Sequence, residues 1–205
     1  MLQPNGFNRT NFWSAYVEHF GHHPKSQAEV DGTNTLLGFI AVDELLERLE
    51  WGAFLLGTVR NECGEQMQPI REKKDKPTSK VWIKYQSKYW GTGFFGRGYS
   101  QLTLEGNYRQ FSRALYSDDR LVQNPDLVMQ PEVGYKILSL GSVRGMFRRR
   151  RNGPPYKLAD FLNNTTHDYL HARQIVNGMS GMAYQWALRY AGYAHLYELC
   201  LRTAL

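Results

Sequence analysis

Apolar residues recur at helical spacing along most of the chain. Between Asn11 and Phe20, the residues Phe12, Trp13, Tyr16, Val17 and Phe20 fall three and four apart, which predicts an amphipathic helix. The turn residues Gly21-His22-His23-Pro24 stop it. The apolar stretch from Leu36 to Cys63 exceeds an ordinary helix, so it predicts two helices with a break near Glu50-Trp51-Gly52. The second carries Phe54, Leu55, Leu56 and Val59 with almost no polar face, as a buried central helix does, and Glu62 lies at its C-terminal end. From Gln66 to Lys88 the periodicity is lost among Pro69, Pro77 and many lysines, which predicts an irregular loop or lobe. Tyr89 to Leu102, rich in glycine and aromatics, predicts a short hairpin or extended turn. Helical patterning returns at Leu104–Leu115, Pro131–Leu140, Leu158–Leu162 and Tyr169–Asn177. Over Met182–Leu201 it places Tyr184, Ala187, Leu188, Ala191, Ala194 and Leu199 on one stripe. With no fixed repeat and no interdomain linker, the pattern reads as one mainly α-helical domain over residues 1–205 with a small irregular or short-hairpin lobe.

Composition narrows the class. A length of 205 residues allows one sizeable core, and 42% hydrophobic with 21% charged residues argues for a folded chain. An aromatic share of 14% suits a sugar-binding cleft and a tyrosine-rich core equally. The net charge of +6 and pI near 9.3 favour an anionic partner: nucleic acid, a membrane surface or an acidic cell-wall polymer. No nucleic-acid motif accompanies that charge, so no nucleic-acid partner is expected. The densest basic run, Arg148-Arg149-Arg150-Arg151, runs into Asn152-Gly153-Pro154-Pro155 and reads as a solvated loop. Two cysteines, Cys63 and Cys200, exclude a disulfide scaffold and a cysteine zinc site. His167 and His171 stand four apart but lack a His-Glu-x-x-His pattern or a third ligand, so no metal and no cofactor are expected. The start lacks a basic and an apolar signal region, and no apolar run approaches the ~18 residues of a spanning helix. The expectation is a soluble monomer made in the cytoplasm, without stable membrane insertion.

Two regions carry chemistry. A glutamate that ends an apolar helix must gain partners or shift its pKa upward, and a raised pKa is what a general acid at neutral pH requires. A glycosidase adds a second carboxylate across the scissile bond. Downstream of Glu62, the candidates are Glu65, Glu72 and Asp75. Glu65 would lie one turn away on the same helix face, too close for a sugar between them. Glu72, beyond Pro69, has room to return across a cleft, with Asp75 in reserve. The second region is Gly91-Thr92-Gly93-Phe94-Phe95-Gly96-Arg97-Gly98-Tyr99-Ser100-Gln101-Leu102-Thr103. No Gly-Lys-Ser/Thr ends it and no dinucleotide spacing occurs, so it is not a phosphate loop. Glycines among aromatics suit a backbone that a ligand approaches closely.

These residues resemble glycoside hydrolase family 19, the plant-type chitinases and, more closely, the lysozyme-like endolysins of phages and bacteria. The resemblance rests on Phe94, Gly96, Arg97, Gly98, Gln101, Leu102, Thr103, Asn107 and Tyr108, with Met67-Gln68-Pro69-Ile70-Arg71-Glu72 before them. Asn124-Pro125-Asp126-Leu127 and Ala172-Arg173-Gln174-Ile175-Val176-Asn177-Gly178 follow in the family's order, so the likeness covers about residues 35–195. It implies a chitinase-like or lysozyme-like helical fold and an inverting reaction. It further implies Glu62 as general acid, Glu72 as the base that activates water, and Thr103 as a holder of that water. Tyr99, Gln101 and Asn107 are implied to contact sugar, and Arg173 and Asn177 to buttress the acid and line the cleft floor. The chain departs from the family pattern beside the acid, where Asn61 and Cys63 replace the usual His and Thr. Three functions stand: an endolysin cleaving peptidoglycan, a chitinase, and an inactive carbohydrate- or nucleic-acid-binding relative. The Gln-Pro-Ile segment, the basic charge and the lack of signal and disulfides favour peptidoglycan. Another factor would then pass the enzyme through the membrane to the wall.

Overall fold

The structure is a computed structural model that describes residues 7–179 and 183–205. Helices dominate: α1 (Arg9–Phe20), α2 (Gln27–Val42), α3 (Leu49–Cys63), α4 (Lys80–Lys84), α5 (Glu105–Tyr116), α6 (Arg120–Gln123), α7 (Pro131–Arg144), α8 (Tyr169–Ala172) and α9 (Ala183–Thr203). Strands β1 (Ile70–Arg71) and β2 (Arg97–Gly98) pair antiparallel, Ile70 opposite Gly98 and Arg71 opposite Arg97. The chain forms two compact units, one from the segments up to Met67 and from Leu138 onward, the other from Gln68–Ile137. Among the described residues, no helix is long and apolar enough to cross a membrane.

In the first unit, α3 is the central helix, buried without interruption from Trp51 to Arg60. The break before it falls over residues 43–48, upstream of the expected Glu50-Trp51-Gly52. Asp43 makes that break: its N–H returns to Ile40 O and its side chain accepts from Leu45 N at 3.0 Å. Trp51 and Gly52 sit inside the helix, where Trp51 Nε1 donates to Leu162 O at 2.8 Å. An interior glycine is a weak stop once tertiary packing supplies the stability its backbone lacks. α2 likewise begins well before the apolar stretch, capped by Ser26, because its buried face there is polar: Glu29 and Thr33. Glu29 is satisfied by Tyr16 Oη at 2.5 Å, Lys25 N at 2.9 Å and an ion pair with Arg60. Burial alone would raise its pKa, but these three donors hold it below the usual carboxylate range. This paired core polar group fixes the last turn of α3, two residues ahead of Glu62.

α3 packs along α9, which also receives α1. At the crossing, a Cβ on Gly57 would lie 2.8 Å from Ala194 N, so the backbones meet where only glycine fits. Gly57→Ala should therefore destabilise the protein by about 1–2 kcal/mol, since overpacking exceeds the gain in helix propensity. Urea melts would read this as a lower midpoint at unchanged slope; an unchanged or higher midpoint would refute the packing account. The buried residues of α9 are Ala187, Tyr190, Ala194, Tyr197, Glu198, Cys200 and Leu201. Only two residues of the expected stripe, Ala187 and Ala194, are among them, whereas Tyr184, Leu188 and Leu199 are exposed. Tyrosines occupy the core positions there, which hides the stripe from a count of aliphatics. Met182 lies outside the described residues.

The second unit is built around the β1–β2 pair. Within 89–102, where a short hairpin or extended turn is expected, a 3₁₀ turn at Trp90–Thr92 precedes β2, which pairs with β1. The chain then reverses tightly, with Arg97 and Leu102 exchanging both backbone hydrogen bonds. The irregular lobe contains one short helix, α4, capped by Ser79, and its lysines Lys73, Lys74, Lys76, Lys80, Lys84 and Lys88 are exposed.

Candidate active site

Glu62 sits half-buried in the last turn of α3. Asn177 Nδ2 donates to its Oε1 at 2.9 Å and lies 3.4 Å from the Tyr190 hydroxyl of α9. Burial pushes the Glu62 carboxyl up to about 7, against the opposing pull of the Arg173 charge and the Asn177 hydrogen bond. Arg173 is itself buried, with its guanidinium 4.9 Å from the Tyr190 ring centre and donating to Gly178 O and, at 3.3 Å, to Ala183 O. Glu62, Arg173 and Asn177, implied by the family resemblance to act together, are thus in one cluster. Asn61 turns back to Gly57 O at 2.9 Å and Cys63 is buried. A carboxyl poised near neutrality with one fixed donor is suited to hold and release a proton at pH 7. Glu65, set aside above, is occupied by Lys25 and Arg60.

In the second unit, Glu72 follows β1 and accepts three hydrogen bonds. Tyr89 Oη at 2.6 Å and Gln86 Nε2 at 2.9 Å reach Oε1, and Gly96 N reaches Oε2 at 2.9 Å. Three donors converging on one carboxylate make it an acceptor site. Burial and the bond to Glu72 raise the Tyr89 hydroxyl, which stays protonated as a donor. Asp75 is tied in through its backbone, its N–H donating to Gln86 Oε1 at 2.8 Å.

The Gly-Arg-Gly block holds this carboxylate. A Cβ at Gly96 would stand 2.9 Å from Gln101 Oε1 and 3.2 Å from Glu72 Oε2, so the glycine lets both side chains close on the main chain. Gly98, at φ +76, faces Val128 as closely. Between them Arg97 is buried, bonding Asp126, Gly93 O, Phe95 O and Tyr108 Oη at 2.8–3.2 Å. Asp126 also pairs with Arg71 at 2.9 Å, which explains why an Asn-Pro-Asp segment accompanies the block.

Gln101 spends both amide hydrogens on Ile70 O and Gly98 O, each at 3.0 Å, and Asn107 donates to Thr103 O at 2.7 Å. Both amides therefore hold backbone. Thr103 Oγ1 donates to Gln101 O at 2.8 Å, which leaves its oxygen as an acceptor. Gln101 and Leu104, at φ 51 and φ 74, flank it in a conformation that L residues rarely adopt, about 1–3 kcal/mol of strain each. Tyr99 is fully buried, with its ring against Gly134.

Several residues of these clusters were not singled out from sequence. Gln86 and Tyr89 lie in the lysine-rich lobe where periodicity is silent, and Tyr190 was displaced by the misread stripe of α9. The arginine run also differs from a plain solvated loop. It forms a hairpin with Arg149 opposite Pro155, in which Arg150 bonds Asp160 at 2.9 Å and Arg148 bonds Asn177 O at 2.7 Å. His167 precedes α8 and lies 2.9 Å from Glu198, whereas His171 lies 2.7 Å from its cap residue Asp168, so the two do not share a helix face. Among the described residues, no group of three metal-suited side chains occurs.

The sequence matches no known family profile and no curated protein. Its fold has solved counterparts. A point mutant of chitinase C overlays with a TM-score of 0.54 at 18% identity, covering 92% of this chain and 75% of that one. Chitinase C from Streptomyces griseus overlays with a TM-score of 0.52 at 20% identity, covering 90% and 75%. A bacterial family 19 chitinase gives 0.47 at 17% identity, with 92% and 93% covered. The two chitinase C structures show that this chain has a chitinase-type fold, in line with the mainly helical architecture expected from its sequence.

Proposed function

We propose that the protein is an inverting glycoside hydrolase of the endolysin type, cutting the N-acetylated amino-sugar backbone of bacterial peptidoglycan. The observation that carries this reading is the neutral-range carboxyl of Glu62, fixed by Asn177 beside Arg173. Glu62 gives its proton to the glycosidic oxygen as the C–O bond breaks. Glu72 takes a proton from water as that water adds to the opposite face of the anomeric carbon. Thr103, its own proton committed to Gln101 O, accepts the water's other hydrogen and aims its lone pair. The reading requires a sugar and a water between the two carboxylates, a gap of about 6.5–9.5 Å. Turnover returns both residues to their starting protonation once Glu72 passes its proton to solvent and Glu62 regains one.

Peptidoglycan is favoured over chitin by charge: a net +6 and an exposed lysine-rich lobe suit an anionic wall. The chitinase reading rests on the chitinase C fold likeness. Clearing of purified cell walls, run beside release from chitin oligomers with reducing-end analysis, decides between them. If charge steers the enzyme, the rate on whole walls should fall severalfold between about 0.1 M and 1 M salt, as the Debye length shrinks from about 10 to about 3 Å. The rate on short neutral oligomers should stay level. A salt-independent rate on walls would remove the charge argument. Acting on a wall from inside a cell would need a separate factor to open the membrane.

A further inference from the structure

The run of four arginines singled out in the sequence is left unused by the proposed reaction. In the structure its members alternate. Arg149 and Arg151 are exposed, while Arg148 and Arg150 turn inward across the hairpin closed by Tyr156 N to Arg148 O at 3.0 Å. Arg150 is consumed by the hairpin itself, bonding Pro154 O, Pro155 O and Asp160. Arg148 reaches elsewhere. Its Nη1 donates to Gln174 O at 3.2 Å and to Asn177 O at 2.7 Å, and the Tyr156 ring, 5.8 Å from its guanidinium, covers it.

Those two carbonyls belong to the 3₁₀ turn Arg173–Ile175 and the residues just past it, where a helix end leaves oxygens without intrahelical donors. The same stretch is also closed by Asn177 N to Arg173 O at 2.8 Å and Val176 N to Arg173 O at 3.1 Å. A guanidinium that grips both carbonyls fixes the main chain of Asn177, and Asn177 carries the amide that touches Glu62 at 2.9 Å. We propose that Arg148 is a positioning residue for the Glu62 carboxyl, acting through the backbone of Asn177. An anion-docking patch would not need this pairing; a two-carbonyl clamp does, and lysine, with a point charge, reproduces it poorly. The proposal rests on the reading of Glu62 as the acid. The charged and polar groups around that carboxyl are Arg173 and Asn177, with Tyr190 from α9 behind Asn177. Arg148 also bears on Arg173: burial, then the Arg148 charge, pulls the Arg173 pKa down while Glu62 opposes them.

The test is carboxyl ¹³C NMR of the glutamate-labelled full chain, with Glu62 assigned by its loss in Glu62→Gln, alongside kinetics on cell walls. In Arg148→Gln the Asn177 donor should drift from the carboxylate. The Glu62 titration should then move to higher pH, and kcat should fall roughly tenfold to a hundredfold with KM little changed. Arg148→Lys should recover only part of both effects, and it stands in if Arg148→Gln does not fold. Arg150→Gln loosens the same hairpin without touching Asn177, and Arg151→Gln alters only exposed charge; both should leave the Glu62 titration in place. A folded Arg148 variant with an unmoved Glu62 titration overturns the proposal. So does Arg150→Gln moving it equally, since the hairpin as a whole would then be responsible. A wild-type protein that cleaves no amino-sugar polymer, yet shows the Arg148-dependent titration, defeats the reading of Glu62 as a catalyst and leaves the positioning intact.

Discussion

Glu62→Gln should fold as the wild type does and lose at least roughly 10²-fold in turnover, the contribution typical of a general acid. The amide keeps the shape and still accepts from Asn177 Nδ2, but it has no proton to deliver to a leaving oxygen. The pH dependence has a definite sign. Burial raises the Glu62 pKa to about 7, so the protonated, active form is present below that pH and is lost as pH rises through it. The alkaline limb of the kcat profile should therefore fall near pH 7, shifted only as far as bound substrate shifts the group. The same shift bears on stability. The folded state holds the proton more tightly than the unfolded chain, so the contribution of Glu62 declines between the ordinary carboxylate pKa and about 7. At pH 8 the Gln variant should melt above the wild type, and at pH 4 the advantage should vanish. A folded variant with near-normal turnover would end the mechanism.

Glu72→Gln should be crippled to a similar degree, and Thr103→Ala should be impaired but measurable. The difference follows from the roles: a base must remove a proton, whereas a hydroxyl only aims the water. Substituting Glu72 also leaves the Tyr89 hydroxyl and Gly96 N–H facing an amide in place of the carboxylate, so melting curves must accompany the kinetics. Azide or formate should partly rescue Glu72→Ala by standing in for the lost carboxylate. The first-formed sugar, read by NMR before mutarotation, should have the inverted anomeric configuration. If Asp75→Asn is crippled while Glu72→Gln is nearly silent, the base is Asp75. If both are silent, Glu62 acts with a water held by amides and hydroxyls, and the two-carboxylate mechanism is wrong.

The helices that site the acid were legible where burial is apolar all round. α3 declared itself because Phe54, Leu55, Leu56 and Val59 leave no polar face, and Glu62 stood out against that background. The start of α2 was not legible because Glu29 and Thr33 face the core, and Glu29 is satisfied there by partners from elsewhere, Tyr16 and Arg60 among them. The tyrosines of α9 were hidden for a related reason: an aromatic with a hydroxyl scores as neither core nor surface until its partner is known. Gly96, Arg97 and Gly98 were legible as a close-packed turn, yet their purpose, a cradle for Glu72 and a strut to Asp126, depends on residues up to 29 positions away. Gln86, Tyr89 and Arg148 act through a few hydrogen bonds to residues well apart in sequence, which leave no periodic trace.

The unit that carries Glu62 is assembled from two stretches of chain with residues 68–137 between them. During synthesis, α3 therefore leaves the ribosome long before Asn177, Arg148 and the Ala194 face of α9 exist to receive it. Its apolar surface must wait through some hundred and thirty further residues, at about 5–20 residues per second, before the contact at Gly57 closes. The intervening unit is continuous and has its pairing partners, Ile70 and Gly98, within reach much sooner. A nascent chain is thus without the clamp near Glu62 until Asn177 emerges and without the partner of α3 until α9 follows, and the exposed α3 is the segment that chaperones would be called on to shield.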